Sequence, residues 1–410
     1  MTIHKDNPDG LDEAQAIDHV RNSDLMTTLF DEDDQLEAVS LTEGNINLIY
    51  RVYSSQDPMG KSVLIKQALP HAWRYPEFKL PRDRARVEWE MLEMEASYCP
   101  ENVPRLYFFD AENSVMGIED LNRHTVMRTG MMDQAVYPKV ARHVGRFMAR
   151  TLFYTSDFYL SSGEKKALQS RFINPVMVKL QEDLVFTQPY IDHPDNRWTP
   201  ELEAQARAVQ NDAALRCEAF QLKERYMTHH QALLHNDFHT GSIMLNADET
   251  KVIDPEFAFY GPMGHDIGSY FAHLVIGYAA QEFHAKDADV RTDYRNWIIA
   301  SLHETWMTFA AEFMQLWEDE GNDGWPSAEF RRWYVDQLLQ ESAGFGATEI
   351  MRRTIGVAHV DDFVQISDSL TRATAESLAL NVARRWLMER RGFTSIDDLI
   401  NVVLAAEPTL

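Results

Sequence analysis

A chain of 410 residues with 45% hydrophobic side chains is long enough for two lobes with separate cores and does not have the composition of a disordered protein. Its formal net charge of −25 argues against a partner as acidic as nucleic acid, because holding a phosphate backbone takes clustered Lys and Arg. Only Cys99 and Cys217 are present, far apart and without C-x-x-C spacing, which supports neither a disulfide framework nor a cysteine zinc site and points to a reducing compartment.

The amino terminus, Met-Thr-Ile-His-Lys-Asp-Asn-Pro-Asp-Gly, carries no apolar export core, so the expected location is the cytoplasm. Residues 1–34 form an acidic leader, and residues 35–120 read as a β-rich N-lobe. There Ile46 to Tyr53, rich in β-branched and aromatic side chains, predicts a strand; Gln56 to Gly60 predicts a turn and Lys61 to Ala68 a further strand. From Arg82 to Tyr98, Val87, Met91 and Met94 recur at helical spacing among glutamates, which predicts the lobe's one main helix. Short strands at Arg105 to Asp110 and Ser114 to Ile118 follow. Residues 121–410 read as a mainly helical C-lobe carrying a catalytic loop. Its amphipathic stretches lie around Val140 to Tyr154, Glu201 to Tyr226, Tyr294 to Glu318, Arg331 to Ser342 and Ala373 to Arg391, with a loop at Pro189 to Pro200. The longest apolar stretch, Phe271 to Ala280, contains His273 and is too short for a bilayer, so no membrane partner is expected.

Along this order sit groups suited to phosphate chemistry. Gly44, Asn45 and Asn47 lie between two predicted strands, where backbone amides and short polar side chains can approach phosphate oxygens, although a single glycine also describes an ordinary hairpin turn. Lys66, after Val63-Leu64-Ile65, matches a strand lysine that pairs with nucleotide phosphates and a helix glutamate. Glu88 is preferred to Glu90 as that partner because it shares a face with Val87, Met91 and Leu92. Glu119-Asp120-Leu121 ends the last N-lobe strand, where a hinge offers main-chain groups of Glu119 and Leu121 to an adenine edge.

The strongest signal is His235-Asn236-Asp237-Phe238-His239-Thr240-Gly241-Ser242, with Asp254-Pro255-Glu256 beginning seventeen residues after Asp237. Asp237 is placed to orient an attacking hydroxyl or accept its proton, and Asp254 with Glu256 to hold magnesium on nucleotide phosphates. At a strand end, residues i and i+2 point to one side, which would let both carboxylates face one ion. Kinases generally carry asparagine five residues after the catalytic aspartate; here Ser242, a weaker metal ligand, shifts the load to Glu256. His235 and His239 without a third ligand make a poor zinc site. His235 is expected to support the loop backbone, and Asp266, in Gly264-His265-Asp266-Ile267-Gly268, to brace it. Arg352-Arg353 lies in an apolar setting where a guanidinium could hold a sugar hydroxyl or neutralise a transferring phosphoryl group.

Together these motifs resemble the 5-methylthioribose kinase family, part of the protein-kinase-like group that also holds aminoglycoside and choline kinases. The likeness rests on the runs 235–242, 254–264, Glu43-Gly44-Asn45-Ile46-Asn47, 65–70 and 352–359, and spans the chain from about residue 40 to about residue 360. It implies an α+β, bilobal protein-kinase-like fold with a β-rich N-lobe and a mainly helical C-lobe. It further implies ATP and Mg2+ as cofactors, phosphorylation of the 1-hydroxyl of 5-methylthioribose in methionine salvage, and a homodimer. Carried over by position, it puts Gly44, Asn45, Asn47 and Lys66 at the nucleotide phosphates and Glu119 to Leu121 at the adenine. Asp254 and Glu256, with Pro255 between them, go to the metal, and Asp237 and Arg352 to the sugar, with Arg353 as companion. Asn236 departs from the family's usual glycine, and Gly117-Ile118 from its usual hinge. The alternatives are a kinase of another small molecule, such as a 5-deoxypentose, choline or an aminoglycoside, and a nucleotide-binding pseudokinase. The arginine pair opposes a cationic acceptor, and a binding-only protein has no need of Asp237. Ala72 to Pro81, with Trp73 and Tyr75, is the candidate loop for closing over the sugar.

Overall fold

The computed structural model describes residues 10–41 and 46–410, so Gly44 and Asn45 lie outside the described residues. The chain divides into two compact units. One holds the described residues as far as His124 together with Val252–Phe257; the other holds Thr125–Lys251 and Ala258–Leu410. The first is β-rich and the second mainly helical, the α+β organisation expected from the sequence.

In the first unit, β1 (Leu36–Leu41), β2 (Leu48–Ser54), β3 (Ser62–Gln67), β4 (Leu106–Asp110) and β5 (Val115–Glu119) form an antiparallel sheet in the order β1-β2-β3-β5-β4. Along β2 the side chains of Leu48, Tyr50, Val52 and Ser54 are buried in strict alternation, the period of a half-buried strand. Val63 and Ile65 of β3 share that core. The acidic leader contributes to it as well. A helix, Glu13–Arg21, opens with a capping box between Asp12 and Gln15 and buries Ala16 and Val20 beside Leu25, Phe30, Tyr50 and Val52. The Leu11 amide donates to Gln67 Oε1 at 2.9 Å and the Tyr50 hydroxyl to the Leu11 carbonyl at 2.8 Å, which ties this segment to the sheet. The main helix, Arg84–Tyr98, presents Val87, Glu88, Met91 and Leu92 inward.

The second unit is built on the helices Val140–Tyr154, Pro175–Leu184, Ala213–Thr228, Gly264–His284, Ala288–Glu320, Ala328–Ile355 and Ser369–Glu389. Between them run the short strands β6 (Thr125–Val126), β7 (Ala232–Leu234), β8 (Ile243–Leu245), β9 (Thr250–Val252) and β10 (Phe259–Gly261); β6 pairs with β8 and β7 with β10, all antiparallel. Two predicted helices differ from those observed. The stretch Glu201 to Tyr226 breaks at Asp212, whose ψ of 103° leaves the helical region and whose side chain caps the next helix at the Leu215 amide. The stretch Arg331 to Ser342 runs on as Ala328–Ile355, so Arg352 and Arg353 end a buried helix. The glycines that interrupt its periodicity serve packing. A Cβ at Gly268 of Gly264–His284 would lie 2.4 Å from the Ser342 carbonyl oxygen and 2.6 Å from the Gly346 nitrogen, so the two backbones meet there with no side chain between them. Among the described residues no helix is long and apolar enough to cross a membrane.

Gly268→Ala must therefore push two buried helices apart and should lower unfolding stability by about 1–3 kcal/mol in urea. Gly163→Ala, with open space around its Cβ on the helix Ser162–Arg171, should leave stability unchanged or raise it by under about 1 kcal/mol.

Candidate active site

In the first unit the phosphate-directed residues converge on one ionic cluster. Lys66 sits on β3 between Ile49 of β2 and Met116 of β5, a position that buries its stem against the sheet and leaves Nζ at the end. Nζ donates to Glu88 Oε1 at 2.6 Å and to Asp254. One oxygen from each of Glu88, Asp254 and Glu256 lies within 4.8 Å of the others. These are hard oxygen donors of the kind magnesium takes, and neither His235 nor His239 belongs to the cluster. The strand argument for pairing Asp254 with Glu256 does not apply. β9 ends at Val252, and Asp254 adopts a left-handed backbone with φ 71°, a strained conformation for a residue with a Cβ. The carboxylates meet because the chain turns there, with Pro255 buried at the turn.

Glu256 is almost wholly buried and is held by two groups. Asn47 Nδ2 donates to its Oε2 at 3.0 Å, and so does Arg84 Nε at 3.0 Å. Arg84 has no exposed surface; its other nitrogens reach Asn47 Oδ1 at 3.1 Å and the carbonyls of Leu69 at 2.6 Å and Pro81 at 2.8 Å. Sequence reasoning missed Arg84, because Arg82, Arg84 and Arg86 open one helix and no period singles out the middle one. Burial disfavours the Lys66 charge, yet Asp254, Glu88 and Glu256 outweigh it and hold the ammonium above the usual lysine range. Burial and the neighbouring carboxylates push Glu88 up against the pull of Lys66, and Glu256 is raised by burial and by Asp254.

At the hinge, the Glu119 amide donates to the Arg105 carbonyl at 2.8 Å and its carboxylate accepts from the Arg105 amide at 2.9 Å. The Asp120 carboxylate is engaged by Arg51 and accepts from Asn122 Nδ2 at 3.2 Å. Leu121 is buried. Trp73 packs against the core of this unit, while Tyr75 is exposed.

In the second unit the loop after β7 is fixed from both sides. Asp266, in the first turn of Gly264–His284, accepts the amide of His235 at 2.7 Å and that of Asn236 at 2.9 Å. Asn236 has φ 66°, a region asparagine tolerates better than most residues with a Cβ; its side-chain oxygen accepts the Tyr226 hydroxyl at 3.0 Å and its carbonyl accepts Gln181 Nε2 at 2.9 Å. The Asp237 amide donates to His235 Nδ1 at 3.3 Å, and Ser242 Oγ donates to the Asp237 carbonyl at 2.9 Å. Ser242, at the position where kinases generally carry asparagine, thus acts on the loop backbone.

The Asp237 carboxylate lies 3.5 Å from Arg353 Nη2 on one oxygen and 3.5 Å from His239 Nε2 on the other. Between the two arginines, Arg353 is the one beside Asp237. Arg352 donates from Nη1 to Gln181 Oε1 at 2.9 Å and lies 3.3 Å from Glu349, so Gln181 links it to the Asn236 carbonyl. Glu349, also missed in the sequence, takes Arg353 Nε at 2.6 Å and faces His273 Nε2 at 3.3 Å. Burial opposes the Glu349 charge, but Arg353, Arg352 and His273 hold it well below the usual carboxylate range. Burial presses His273 down to about 3, and burial with nearby His273, Arg128 and Arg353 holds His239 well below its ordinary value. A histidine inside an otherwise apolar helical stretch was the available signal for this network.

The phosphotransferase enzyme family matches residues 96–297. The chain is 38% identical over 407 residues to methylthioribose kinase 1 of Oryza sativa subsp. japonica, covering 95% of this chain and 94% of that one. It is 39% identical over 378 residues to methylthioribose kinase of Geobacillus kaustophilus, covering 90% and 91%. Among solved structures, Plasmodium vivax ethanolamine kinase matches with a TM-score of 0.44 at 12% identity, covering 98% of this chain and 94% of that one.

Arg84→Met leaves the Glu256 carboxylate buried without its guanidinium and should cost about 3–5 kcal/mol in chemical denaturation; adding Glu256→Gln should recover most of the loss. The buried histidines set an acid limb. With its folded value at about 3, His273 stays neutral while the unfolded chain takes up a proton below about pH 6.5, so stability present above that pH is lost on acidification. His273→Gln should flatten the stability profile between about pH 6.5 and 5 relative to the parent protein.

Proposed function

The chain belongs to the methylthioribose kinase family, and on that premise we propose that it transfers the γ-phosphoryl group of ATP to the 1-hydroxyl of 5-methylthioribose, giving 5-methylthioribose 1-phosphate and ADP in methionine salvage. The observation that carries the reading is the Asp237 carboxylate, partly exposed on a loop held at its backbone by Asp266, Gln181 and Ser242 and at the Asn236 side chain by Tyr226, with the Arg353 guanidinium beside it.

Phosphoryl transfer demands positioning and charge stabilisation more than covalent chemistry. Asp237 orients the sugar hydroxyl and takes its proton as the bond to phosphorus forms. Arg353 and Arg352 hold the sugar hydroxyls and keep the pocket inhospitable to a cationic acceptor such as choline or an aminoglycoside. Lys66 meets the nucleotide phosphates while Glu88 holds its ammonium in place, and Asn47 serves the same phosphates from the end of the β1–β2 connection. Main-chain groups of Glu119 to Leu121 receive the adenine. Asp254 and Glu256 would hold Mg2+, which when bound would offset the charge of the phosphate oxygens. Glu88 is engaged by Lys66, and Arg84 with Asn47 keeps Glu256 aimed at the metal position. The same reading includes a cytoplasmic homodimer, supported by the family resemblance.

Asp237→Asn should lower kcat by about 10²–10⁴ while ATP binding, followed by calorimetry, survives. Arg352→Ala and Arg353→Ala should each raise KM for the sugar by about tenfold or more with little change in KM for ATP; equal losses for both substrates would make the arginines structural. Purified protein that binds MgATP yet releases no ADP with 5-methylthioribose would sink the reading.

A further inference from the structure

The run Arg352-Arg353-Thr354-Ile355-Gly356-Val357-Ala358-His359 ends in a histidine that none of the steps above uses. The helix Ala328–Ile355 stops at Gly356, and the chain turns back through Ala358, whose φ of 59° is left-handed. A residue with a Cβ holds that conformation only where its surroundings enforce it. His359 supplies the enforcement. Its Nε2 lies 3.0 Å from the Arg197 carbonyl oxygen and 3.2 Å from the Gly356 carbonyl oxygen, and the Arg197 amide donates to that same Gly356 carbonyl at 3.0 Å. On the other side of the ring, Arg372 Nη2 lies 3.2 Å from Nδ1. Carbonyls require a donor at Nε2 and a guanidinium has only N–H groups to offer, so Nδ1 accepts and the ring is the neutral Nε2–H tautomer. Burial lowers its proton affinity, Arg372 and Arg353 add to that, and the two carbonyls oppose them. Arg372 is itself held by Glu376 at 2.8 Å.

The turn that His359 closes has one further contact. The carbonyl of Ala358 accepts Arg353 Nη1 at 2.9 Å, while Glu349 takes Arg353 Nε at 2.6 Å. Two anchors on one planar guanidinium fix its orientation and leave Nη2 as the corner near Asp237, at 3.5 Å. We propose that His359 is a positioning residue for Arg353: by clamping the Ala358 turn it sets the angle at which the guanidinium faces Asp237 and the sugar. This rests on the assignment of Arg353 to the acceptor.

Steady-state kinetics on the full chain test it. His359→Ala should lower kcat/KM for 5-methylthioribose about tenfold and leave KM for ATP within about twofold, and His359→Gln, whose amide can still donate to a carbonyl, should regain most of the loss. In an Arg353→Ala background, His359→Ala should change kcat/KM by less than about twofold, because the group it positions is gone. If His359→Ala does not fold, Arg372→Met, which removes the donor to Nδ1, takes its place with the same expected coupling. Losses that multiply in the two backgrounds, or sugar and ATP parameters falling together, would overturn the proposal. A parent enzyme inactive on 5-methylthioribose would instead overturn the function reading, before any variant is compared.

Discussion

A guanidinium with no exposed surface organises the first unit. Arg84 cannot be hydrated, so each of its donors must find an acceptor inside the protein, and the acceptors come from separate stretches of chain: Asn47 before β2, Leu69 after β3, Pro81 before its own helix, and Glu256. Fixing one side chain therefore fixes four segments together. Lys66 depends on the result, since its ammonium is buried against Asp254 and Glu88. Three carboxylates, Glu88, Asp254 and Glu256, gather around two cations, Lys66 and Arg84.

The second unit uses the opposite sign at its centre. Glu349 is a buried anion that holds Arg352, Arg353 and His273 at once, and a planar carboxylate shared this way leaves the arginines little rotational freedom. Asp237 stands apart from this pattern because its carboxylate is partly exposed while its backbone is clamped. In the proposed reaction Asp237 needs an approach for its substrate, and rigidity is then supplied by the main chain rather than by burying the side chain. The left-handed residues Asn236 and Asp254 mark the places where this rigidity is maintained against local preference.

Much of this was legible in the sequence. The β-branched and aromatic run before Tyr53 marks the strand that forms there, and the lysine after Val63-Leu64-Ile65 pairs with the helix glutamate expected of it, Glu88. What escaped notice was non-local. Arg84 acts through Glu256, 172 residues away, and Glu349 faces His273, 76 residues away, and helical periodicity gives no reason to prefer either to neighbouring charged residues. The helix expected over Arg331 to Ser342 runs on through Gly344 and Gly346, where other elements approach too closely for a Cβ, so its continuation is set by packing rather than by local pattern. The leader was read from its charge, while its apolar minority, Ala16, Val20, Leu25 and Phe30, decides where it packs.

The detour of Val252–Phe257 into the first unit has a consequence for biosynthesis. When a ribosome has made the chain only as far as His124, the sheet is complete in strands and Lys66 has Glu88, but Arg84 lacks the Glu256 carboxylate. Burying Arg84 at that stage would leave its guanidinium without a carboxylate in a low-dielectric interior. The unit must therefore wait, at about 5–20 residues per second for a delay on the order of ten seconds, until its own last segment emerges. The final burial of Arg84 against Glu256 is thus timed by synthesis of the loops and helices that lie between.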